Sequence, residues 1–489
     1  MSYLENTINQ IIEEQNIPIE WNSLINQELK NIKLKDNLNR KDLTKDPFIT
    51  IDGEDARDFD DAVFCNQNKS SYTLKVAIAD VASVVSYNSE LDKEAFKRGT
   101  SIYLPNTVIP MLPEMISNNI CSLVPNEKRN VLVCEMIFNL DGGIESYKFY
   151  EAEINSFKRF TYHQIQDYKI NNSDICQSIK SLKKLTNKLL QNKLKRNALE
   201  IESLEPVINI DKDGSVLSIG TSNRFFAHKM IEESMIAANI CAAKFIKKYY
   251  GYGVYRVHEE PESLKIESLK KFFSLKGHSA KKNSNTLDLI NSLINHANKN
   301  ENYKLLNIMI LQSLKRAQYS TKEIGHFGLQ LEKYSHFTSP IRRYPDLIVH
   351  RMIKNILNKT NQIFVQEDLE EILEELSSLE KRAEISARQV NQQLICYHLK
   401  KFVGEEFSTF VVGIAEFGLF CEIDKYFISG LLHVSDLKRD RYIFDSQANI
   451  LKGRKTGKTY RIGQKIRVQL ANVIPEERKI ILVPLDNEK

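Results

Sequence analysis

The sequence predicts an α+β protein in which a large mixed α/β domain is followed by a small all-β barrel. Three observations support this prediction: a strand-like pattern from residue 48 to about 85 with a hairpin over 130–154, helical periodicity from about 173, and short Gly-punctuated strands from about 404. The 489 residues suffice for two or three domains. We therefore predict a linker-like segment (1–46), a main domain (47–402) and a barrel domain (403–489).

Composition excludes several classes of protein. The chain is 42% hydrophobic and 27% charged, and no apolar run reaches the roughly 18 to 20 residues that span a membrane. Its N-terminus is polar and acidic, unlike a secretory signal. The cysteines are scattered and form no CxxC pair, which argues against zinc and disulfides: Cys65, Cys121, Cys134, Cys176, Cys241, Cys396 and Cys421. We expect a cytoplasmic protein without membrane segments.

The first predicted elements are strands, after a polar, partly helical segment (1–46) that shows no core pattern of its own. FITI and DAVFC enclose an acidic loop, and YTLKVAIADVASVV continues the apolar alternation. Prolines and β-branched residues make 100–113 extended rather than helical. The sequence then predicts a hairpin from NVLVCEMIFNLDGGIESYKFYEAEI, with its turn at Asp141, Gly142 and Gly143.

Three later segments are predicted helices with apolar faces. They are SLKKLTNKLLQNKLKR, a long helix over 226–249, and VQEDLEEILEELSSLEKRAEISARQVNQQL. The first has its stripe at Leu182, Leu185, Leu189 and Leu190, and the third at Leu369, Ile372, Leu373, Leu376 and Leu379.

From about residue 404, some 85 residues of short strands are typical of a five-stranded barrel. Within them, residues 438–467 contain ten Lys or Arg against two Asp. Such a block suits a polyanion, although a solubilising surface explains it equally well.

The acidic loop is the first candidate site, with five Asp and one Glu within residues 52–61. Two unit charges 4 Å apart repel by roughly 4 kcal/mol at an effective dielectric of 20, and a divalent cation removes that penalty. Oxygen ligands from Asp52, Asp58, Asp60 and Asp61 favour Mg²⁺ or Mn²⁺, the arrangement for attack on a phosphodiester. EF-hand spacing is absent. The alternative is an Asp-rich turn that binds nothing, which the buried-type Phe59 disfavours.

The second candidate site lies in GHFGLQLEKYSHFTSPIRRYPDLIVHR (325–351). Ser339 and Pro340 predict a helix start whose free N–H groups face an anion. Arg342 and Arg343 follow, with His336, Phe337 and Tyr344 nearby, a combination that suits phosphates and stacked bases. Alternatively, the arginines form salt bridges and the aromatics belong to the core.

Glu232 and Glu233 lie on the predicted helix over 226–249, which we expect to line the same cavity. One of them is a candidate for binding a ribose hydroxyl. Acidic pairs on helices are more often solvated, so the two interpretations stay balanced.

Together these motifs resemble the ribonuclease II family, most closely its ribonuclease R branch. TIDGEDARDFDDAV, GTSIYLPNTVIPMLPE, AHKMIEESMIAAN, YRVHEEP and the 325–351 motif occur in the family's order, from about residue 48 onwards. The resemblance implies an RNB catalytic domain with an S1-type OB-fold, and a Mg²⁺-dependent, processive 3′-to-5′ exoribonuclease of RNA turnover and quality control. Such an enzyme hydrolyses single-stranded RNA to nucleoside 5′-monophosphates.

The resemblance also implies roles for individual residues. Metal ligands are Asp52, Asp58 and Asp61, and catalytic residues are Asp60, Asp58, Arg342 and Tyr103, with Tyr103 holding the 3′-terminal nucleotide. The implied RNA-binding residues are Tyr103, Glu233, Arg342, Arg343, Phe417, Phe420, His433 and Lys455. We expect Mg²⁺ as cofactor, with Mn²⁺ as a substitute, and single-stranded RNA bound by a monomer.

Two departures from the family pattern qualify these expectations. The family carries two cold-shock domains before the RNB domain, whereas this sequence begins in the linker that would follow them. A short natural form, a truncation or a separate chain supplying those domains would each explain this. Furthermore, Ile201 stands where the family has a Phe that stacks on RNA, which weakens the expected grip and processivity.

Three functional hypotheses remain open from the sequence. The favoured one is the exoribonuclease; the second is an RNA-binding protein with weak or no turnover because its N-terminal RNA clamp is missing. The third is an endonuclease using the same metal chemistry in an open cleft. End-labelled RNA distinguishes them by yielding mononucleotides, no products or internal fragments.

Overall fold

The computed structural model describes residues 2–32, 40–167, 173–201, 206–211, 213–221, 224–274, 277–278, 285–299, 303–360, 364–437, 440–445 and 450–485. The helices in these ranges are Tyr3–Glu14 (α1), Ser23–Lys30 (α2), Glu90–Arg98 (α3), Tyr162–Asp167 (α4), Asp174–Lys195 (α5), Phe226–Tyr250 (α6), Ser263–Ser274 (α7), Thr286–Ala297 (α8), Tyr303–Ser313 (α9), Tyr344–Asn358 (α10) and Gln366–Leu399 (α11).

The strands of the main domain are Lys41–Asp42 (β1), Phe48–Asp52 (β2), Asp61–Gln67 (β3), Ser71–Ala79 (β4), Ile102–Leu104 (β5), Thr107–Ile109 (β6), Lys128–Asn139 (β7), Ile144–Thr161 (β8), Pro206–Ile210 (β9), Val216–Thr221 (β10), Tyr255–Val257 (β11) and Gln318–Ser320 (β12). Those that follow are Glu406–Ala415 (β13), Gly418–Ile423 (β14), Ile428–His433 (β15), Tyr442–Asp445 (β16), Ile450–Gly453 (β17), Thr459–Arg461 (β18), Lys465–Ile474 (β19) and Lys479–Pro484 (β20).

The main sheet has the strand order β1-β8-β2-β3-β4-β7. β7 also pairs with the first part of the long strand β8, so the pairings β8-β2-β3-β4-β7 form a closed circuit. The predicted hairpin between β7 and β8 is confirmed, and Gly142 adopts a positive φ of 79° in its turn, which glycine tolerates without a Cβ penalty. The 100–113 segment is extended as predicted, with the short pair β5–β6.

The predicted helices are confirmed as α5, α6 and α11. α5 and α6 belong to the same hydrophobic core as the main sheet, and most of the predicted stripes are buried: Leu182, Leu185 and Leu189 in α5, and Leu369, Leu373 and Leu376 in α11. Amphipathic periodicity therefore identified the core-facing sides correctly.

The expectation that residues 1–46 lack a core pattern is wrong for the first helix. α1 buries Leu4, Ile8 and Ile11, whose spacing places them on one helical face. This face belongs to a hydrophobic cluster with Val390 and Leu394 of α11. Because the segment is mostly polar, these three apolar residues did not form a recognisable core pattern in the sequence. In the structure they pack against α11.

A buried ion network connects α10 to the main sheet. Asp80, directly after β4, lies 2.5 Å from Arg40 Nη2 and 2.6 Å from Lys354 Nζ, and its side chain has no solvent exposure. Glu151 of β8 lies 3.0 Å from the same arginine and 3.4 Å from the same lysine. Since Lys354 is on α10, the network anchors to the main sheet the helix in which the second candidate site ends.

The predicted C-terminal barrel is confirmed as a closed five-stranded barrel with the order β13-β14-β15-β20-β19. Its interior is a separate hydrophobic cluster, to which Ile395 and Leu399 at the end of α11 also belong. The basic block (438–467) contains the three-stranded sheet β16-β17-β18, inserted between β15 and β19. Within the block, residues 438–439 and 446–449 lie outside the described residues.

Candidate active site

The acidic loop, residues 53–60, joins β2 to β3. These two strands pair only at Ile49 and Val63, so their ends separate and leave room for the loop. The loop is anchored at its second half: Phe59 N donates to Ser122 Oγ at 3.0 Å, and Asp60 O accepts from Ala79 N at 2.9 Å. Phe59 is buried, as its apolar character predicts. The loop is therefore held in place and is not a free surface turn.

Asp58 and Asp60 contact residues from distant parts of the chain. The Tyr103 hydroxyl donates to Asp58 Oδ2 at 2.5 Å. Asp60 Oδ1 accepts from Ile341 N at 2.9 Å, and its Oδ2 lies 3.5 Å from Arg342 Nε. The structure thus brings together the acidic loop, the predicted aromatic residue and the first arginine of the 325–351 motif.

The predicted helix start at Ser339 and Pro340 is wrong. Residues 339–343 form a turn, and α10 begins only at Tyr344. The N–H group of Ile341, which we expected to face an external anion, instead donates to the carboxylate of Asp60. A tertiary hydrogen bond to a buried carboxylate therefore determines the conformation of this turn.

The turn also packs against the segment that carries Tyr103. Arg342 O accepts from Thr100 Oγ1 at 2.9 Å and from Ser101 N at 3.0 Å. The Arg342 guanidinium donates to Ser339 Oγ at 3.0 Å, and the side chain as a whole is 41% exposed. Arg342 is consequently positioned by its backbone while its side chain remains accessible to an anionic ligand.

Arg343 and the neighbouring aromatic residues occupy a different environment. Arg343 Nη2 donates to Asp346 Oδ1 at 2.7 Å, and this ion pair raises the pKa of the guanidinium even though burial alone would lower it. Phe337 and Tyr344 are buried in the core, and burial holds the pKa of His336 well below its usual range. For these residues the alternative interpretation applies, because Arg343 forms a salt bridge and the aromatic residues belong to the core.

The carboxyl groups of the site are mutually destabilising. Burial, followed by repulsion from Asp61, raises the pKa of Asp52 to about 8. Burial raises the pKa of Asp61 to about 6, although Arg342 opposes the rise, and burial also raises the pKa of Asp60. Clustered acids with raised pKa values are typical of functional sites, where a cation or substrate supplies the missing stabilisation.

The donor chemistry of this cluster suits a hard divalent cation. Asp52 Oδ2 and Asp60 Oδ2 are buried without a hydrogen-bond partner among the described residues. Among all residues that the structure describes, no three Asp, Glu, His or Cys side chains lie close enough together to enclose a metal by themselves. Mg²⁺ does not require such an enclosure, because it usually keeps several waters and binds one or two carboxylates together with substrate phosphates.

Sequence reasoning did not identify Tyr162, which lies beside the acidic cluster. Its ring stacks on His228 of α6 with centroids 3.8 Å apart. Burial, then the charges of Asp52 and Asp61, raises its pKa. Tyr162 follows Thr161, the β8 residue that pairs with Asp52. Only the parallel pairing of β2 with β8 brings the tyrosine here, and no local motif indicates it.

Glu232 and Glu233 lie on α6 and both face Lys193 of α5, at 3.3 and 3.4 Å. Glu233 is buried, and burial raises its pKa. Ile201, at the position of the family's stacking Phe, is half-buried and packs against the hydrophobic cluster of α7, α8 and α9.

Three candidate RNA-binding residues, Phe417, Phe420 and His433, lie at one edge of the barrel. Phe417 is 49% exposed and Phe420 36% exposed, with ring centroids 5.9 Å apart. His433 pairs with Gly418 in the neighbouring strand, which places it at the same edge. Lys455 is exposed in the turn between β17 and β18, where its backbone N–H donates to Asp440.

This fold and site define the class of protein. Residues 40–359 match the family model of the RNB domain, and residues 400–483 match that of the S1 RNA binding domain. The chain belongs to the RNB-domain family and contains an S1 domain after the RNB domain.

The relatives that this chain resembles are bacterial proteins named Ribonuclease R. Over 96% of this chain, the protein of Vibrio parahaemolyticus is 36% identical, but only 59% of that relative is covered. Over 95% of the chain, the protein of Buchnera aphidicola from Acyrthosiphon pisum is 38% identical, with 67% of the relative covered. The chain thus spans about three-fifths to two-thirds of these relatives.

Among solved structures, Mycoplasma genitalium RNase R in complex with ribose methylated single-stranded RNA superimposes with a TM-score of 0.93 at 32% identity. The match covers 99% of this chain and 78% of that one. Among the described residues, no helix is long and apolar enough to span a membrane.

Proposed function

We propose that this protein is a divalent-metal-dependent 3′-to-5′ exoribonuclease that degrades single-stranded RNA processively and releases nucleoside 5′-monophosphates. The observation that carries the proposal is the meeting of the acidic loop with Tyr103 and Arg342 in one site. The membership of the RNB-domain family and the presence of an S1 domain support it.

Each residue of the site has a role in this proposal. One or two of the carboxylates of Asp52, Asp58 and Asp61 would hold Mg²⁺, or Mn²⁺ in its place, with waters and the RNA phosphate completing the coordination. When bound, the ion neutralises the carboxylates and activates the phosphodiester for attack by water. Asp60 carries buried negative charge next to the scissile phosphate, and the accessible Arg342 guanidinium contacts that phosphate or its neighbour.

The Tyr103 ring, 44% exposed, would stack on the 3′-terminal base while its hydroxyl orients Asp58. Glu233 would accept a hydrogen bond from a ribose hydroxyl, and its ion pair with Lys193 would weaken when it does so. Arg343 would act mainly through the position of the turn, since its guanidinium already binds Asp346.

RNA upstream of the site would contact the S1 domain. Phe417 and Phe420 supply exposed rings for base stacking, and the half-buried His433 lies at the same edge. Lys455 belongs to the basic block, in which Arg441, Lys452, Arg454, Lys458 and Arg461 are also exposed. We expect a cytoplasmic monomer; the seven cysteines are buried and form no disulfide, which agrees with a reducing compartment.

The second candidate function is RNA binding with little turnover. It is favoured by the arrangement of the carboxylates, which by themselves do not enclose a metal. A time course on 5′-end-labelled single-stranded RNA with Mg²⁺ tests both. Progressive shortening with release of mononucleotides supports the proposal. Binding without products supports the alternative, and internal fragments indicate an endonuclease.

A further inference from the structure

A cavity of about 780 Å³ lies on the other side of the acidic loop. It is lined by Ala56, Arg57, Phe59, Glu114, Met115, Asn118, Asn119, Val124, Pro125 and Arg159. Its volume lies within the roughly 300–1,000 Å³ range of small-molecule sites, and it is broadly open to solvent. Tyr103, Ile341 and Arg342, which contact Asp58 or Asp60, do not line this cavity.

The loop lies between the two sites, because its neighbouring side chains contact different surroundings. Asp58 and Asp60 contact Tyr103 and Arg342 on one face. Arg57 and Phe59 line the cavity on the other face. One short segment thus presents acids to the candidate active site and a cation with an aromatic ring to the cavity.

The cavity offers cationic groups for a phosphate. Arg57 is exposed, and its guanidinium makes no hydrogen bond or ion pair with any residue in the described part of the chain. Arg159 lies over the Phe59 ring, with 5.1 Å between its guanidinium carbon and the ring centroid. Its Nε is buried and has no hydrogen-bond partner among the described residues. Two arginines with unused donors are suited to a phosphomonoester.

The opposite wall offers groups for a base and a sugar. A π-helical turn, Met115–Ile120, closes with the hydrogen bond from Cys121 N to Ile116 O at 2.9 Å. Such turns are rare and are frequent at functional sites. Met115, 50% exposed, supplies an apolar surface, and the amide groups of Asn118 and Asn119 can hydrogen-bond to a base edge.

We propose that this cavity is a second nucleotide site, which binds a nucleoside 5′-monophosphate. The phosphate contacts Arg57 and Arg159, the base packs on Met115 next to Asn118, and the Glu114 carboxylate accepts hydrogen bonds from ribose hydroxyls. If the proposed function holds, the ligand is the product that hydrolysis releases. The binding itself does not depend on that activity.

Occupancy of the cavity is coupled to the active site through Arg159. Its Nη2 donates at 2.6 Å to both Gly53 O and Glu54 O, immediately after Asp52. A phosphate that engages this guanidinium competes with the two carbonyl groups and changes the position of the acidic loop. We therefore expect the bound nucleotide to lower kcat without changing the KM for RNA, because the RNA path lies on the other face.

Binding is measured by titrating 5′-AMP, adenosine and inorganic phosphate separately into the full-length chain without RNA. We expect 5′-AMP to bind at least tenfold more tightly than either fragment, and Arg57→Ala and Asn118→Ala to weaken it at least tenfold. Arg388→Ala, which removes an exposed arginine from α11, is the matched control and should leave binding unchanged.

Equal affinity for phosphate and 5′-AMP, or unaltered 5′-AMP binding in Arg57→Ala and Asn118→Ala, would overturn the assignment. In the activity assay, Arg57→Ala should keep the rate measured without added nucleotide and lose the inhibition by 5′-AMP. Inhibition that persists in Arg57→Ala, or that competes with RNA, places the nucleotide in the active site and refutes the second site. An inactive chain that still shows the binding pattern refutes the proposed function alone.

Discussion

Replacing Asp80 by Asn is expected to destabilise the main domain strongly, because Asp80 is the centre of a buried ion network. Its carboxylate accepts a hydrogen bond from Arg40 at 2.5 Å and two from Lys354 at 2.6 and 2.8 Å, without solvent exposure. The asparagine keeps the shape of the side chain but removes its negative charge. Two buried cations then share only Glu151 as a counter-ion.

The magnitude follows from the burial of both partners. Removing one member of a buried ion pair typically costs about 3 to 5 kcal/mol, because the other charge is left uncompensated. Glu151 remains at 3.0 Å from Arg40 and 3.4 Å from Lys354, which limits the loss. We therefore expect the free energy of unfolding to fall by about 3 kcal/mol, roughly a hundredfold change in the unfolding equilibrium.

Urea denaturation followed by the fluorescence of Trp21, the single tryptophan, measures this loss. The Trp21 ring stacks on the Arg98 guanidinium at 3.6 Å, so its environment depends on the folded main domain. Glu90→Gln is the control, because the Glu90–Lys93 pair is exposed and is worth at most about 0.5 kcal/mol. A loss below about 1 kcal/mol for Asp80→Asn would refute the reasoning.

The same network predicts a pH dependence of stability. Burial alone would raise the pKa of Asp80, but Lys354 and Arg40 outweigh it and hold the pKa below the usual 3.8. The contribution of this carboxylate is therefore present above about pH 3.8 and is lost as the pH falls further. Wild type should lose stability more steeply than Asp80→Asn below pH 4, and parallel curves would contradict this.

The remaining predictions concern the proposed activity. Asp60→Asn keeps the oxygen that accepts from Ile341 N and removes one charge, so hydrolysis should fall to below a few per cent of the wild-type rate while RNA still binds in a filter assay. Tyr103→Ala should leave longer end products on a sequencing gel, whereas Tyr103→Phe, which loses only the hydrogen bond to Asp58, should keep the wild-type length. Ile201→Phe should shorten the end product if the side chain at position 201 contacts RNA. An unchanged length means that this side chain only packs against the hydrophobic cluster of α7, α8 and α9. Deleting residues 404–489 should flatten the salt dependence of RNA binding, which has a slope of roughly −0.7 per phosphate contact on single strands, and an unchanged slope would place the RNA contacts elsewhere.

Several features of the fold were predictable from local patterns. The β7–β8 hairpin follows from alternation on both sides of Asp141, Gly142 and Gly143, because that turn requires a residue with positive φ. The stripes of α5 and α11 follow from helical periodicity. For α1 the same principle applied, but three apolar residues among polar neighbours were too weak a signal until α11 was seen to cover them.

The candidate site was predictable in composition but not in arrangement. The sequence by itself determined that Asp52, Asp58, Asp60 and Asp61 lie within ten residues of one another, but the fold brings the charges of Asp52 and Asp61, nine positions apart, close enough to interact. The sequence could not show that Arg342 contacts Asp60 of this loop or that the pairing of β2 with β8 places Tyr162 beside it. Nor could it show that the Arg343 guanidinium forms an ion pair with Asp346.

The start of α10 shows why only the tertiary structure decided these points. Ser339 and Pro340 favour a helix start by local propensity, worth about 1 kcal/mol for a cap. Instead, Ser339 N donates to Asp346, Ile341 N donates to Asp60, and the helix begins at Tyr344. Hydrogen bonds to buried carboxylates are worth about 1.5 to 3 kcal/mol each and outweigh the local preference. Local sequence determined which groups the turn contains, and tertiary contacts such as that of Ile341 N with Asp60 determined where they point.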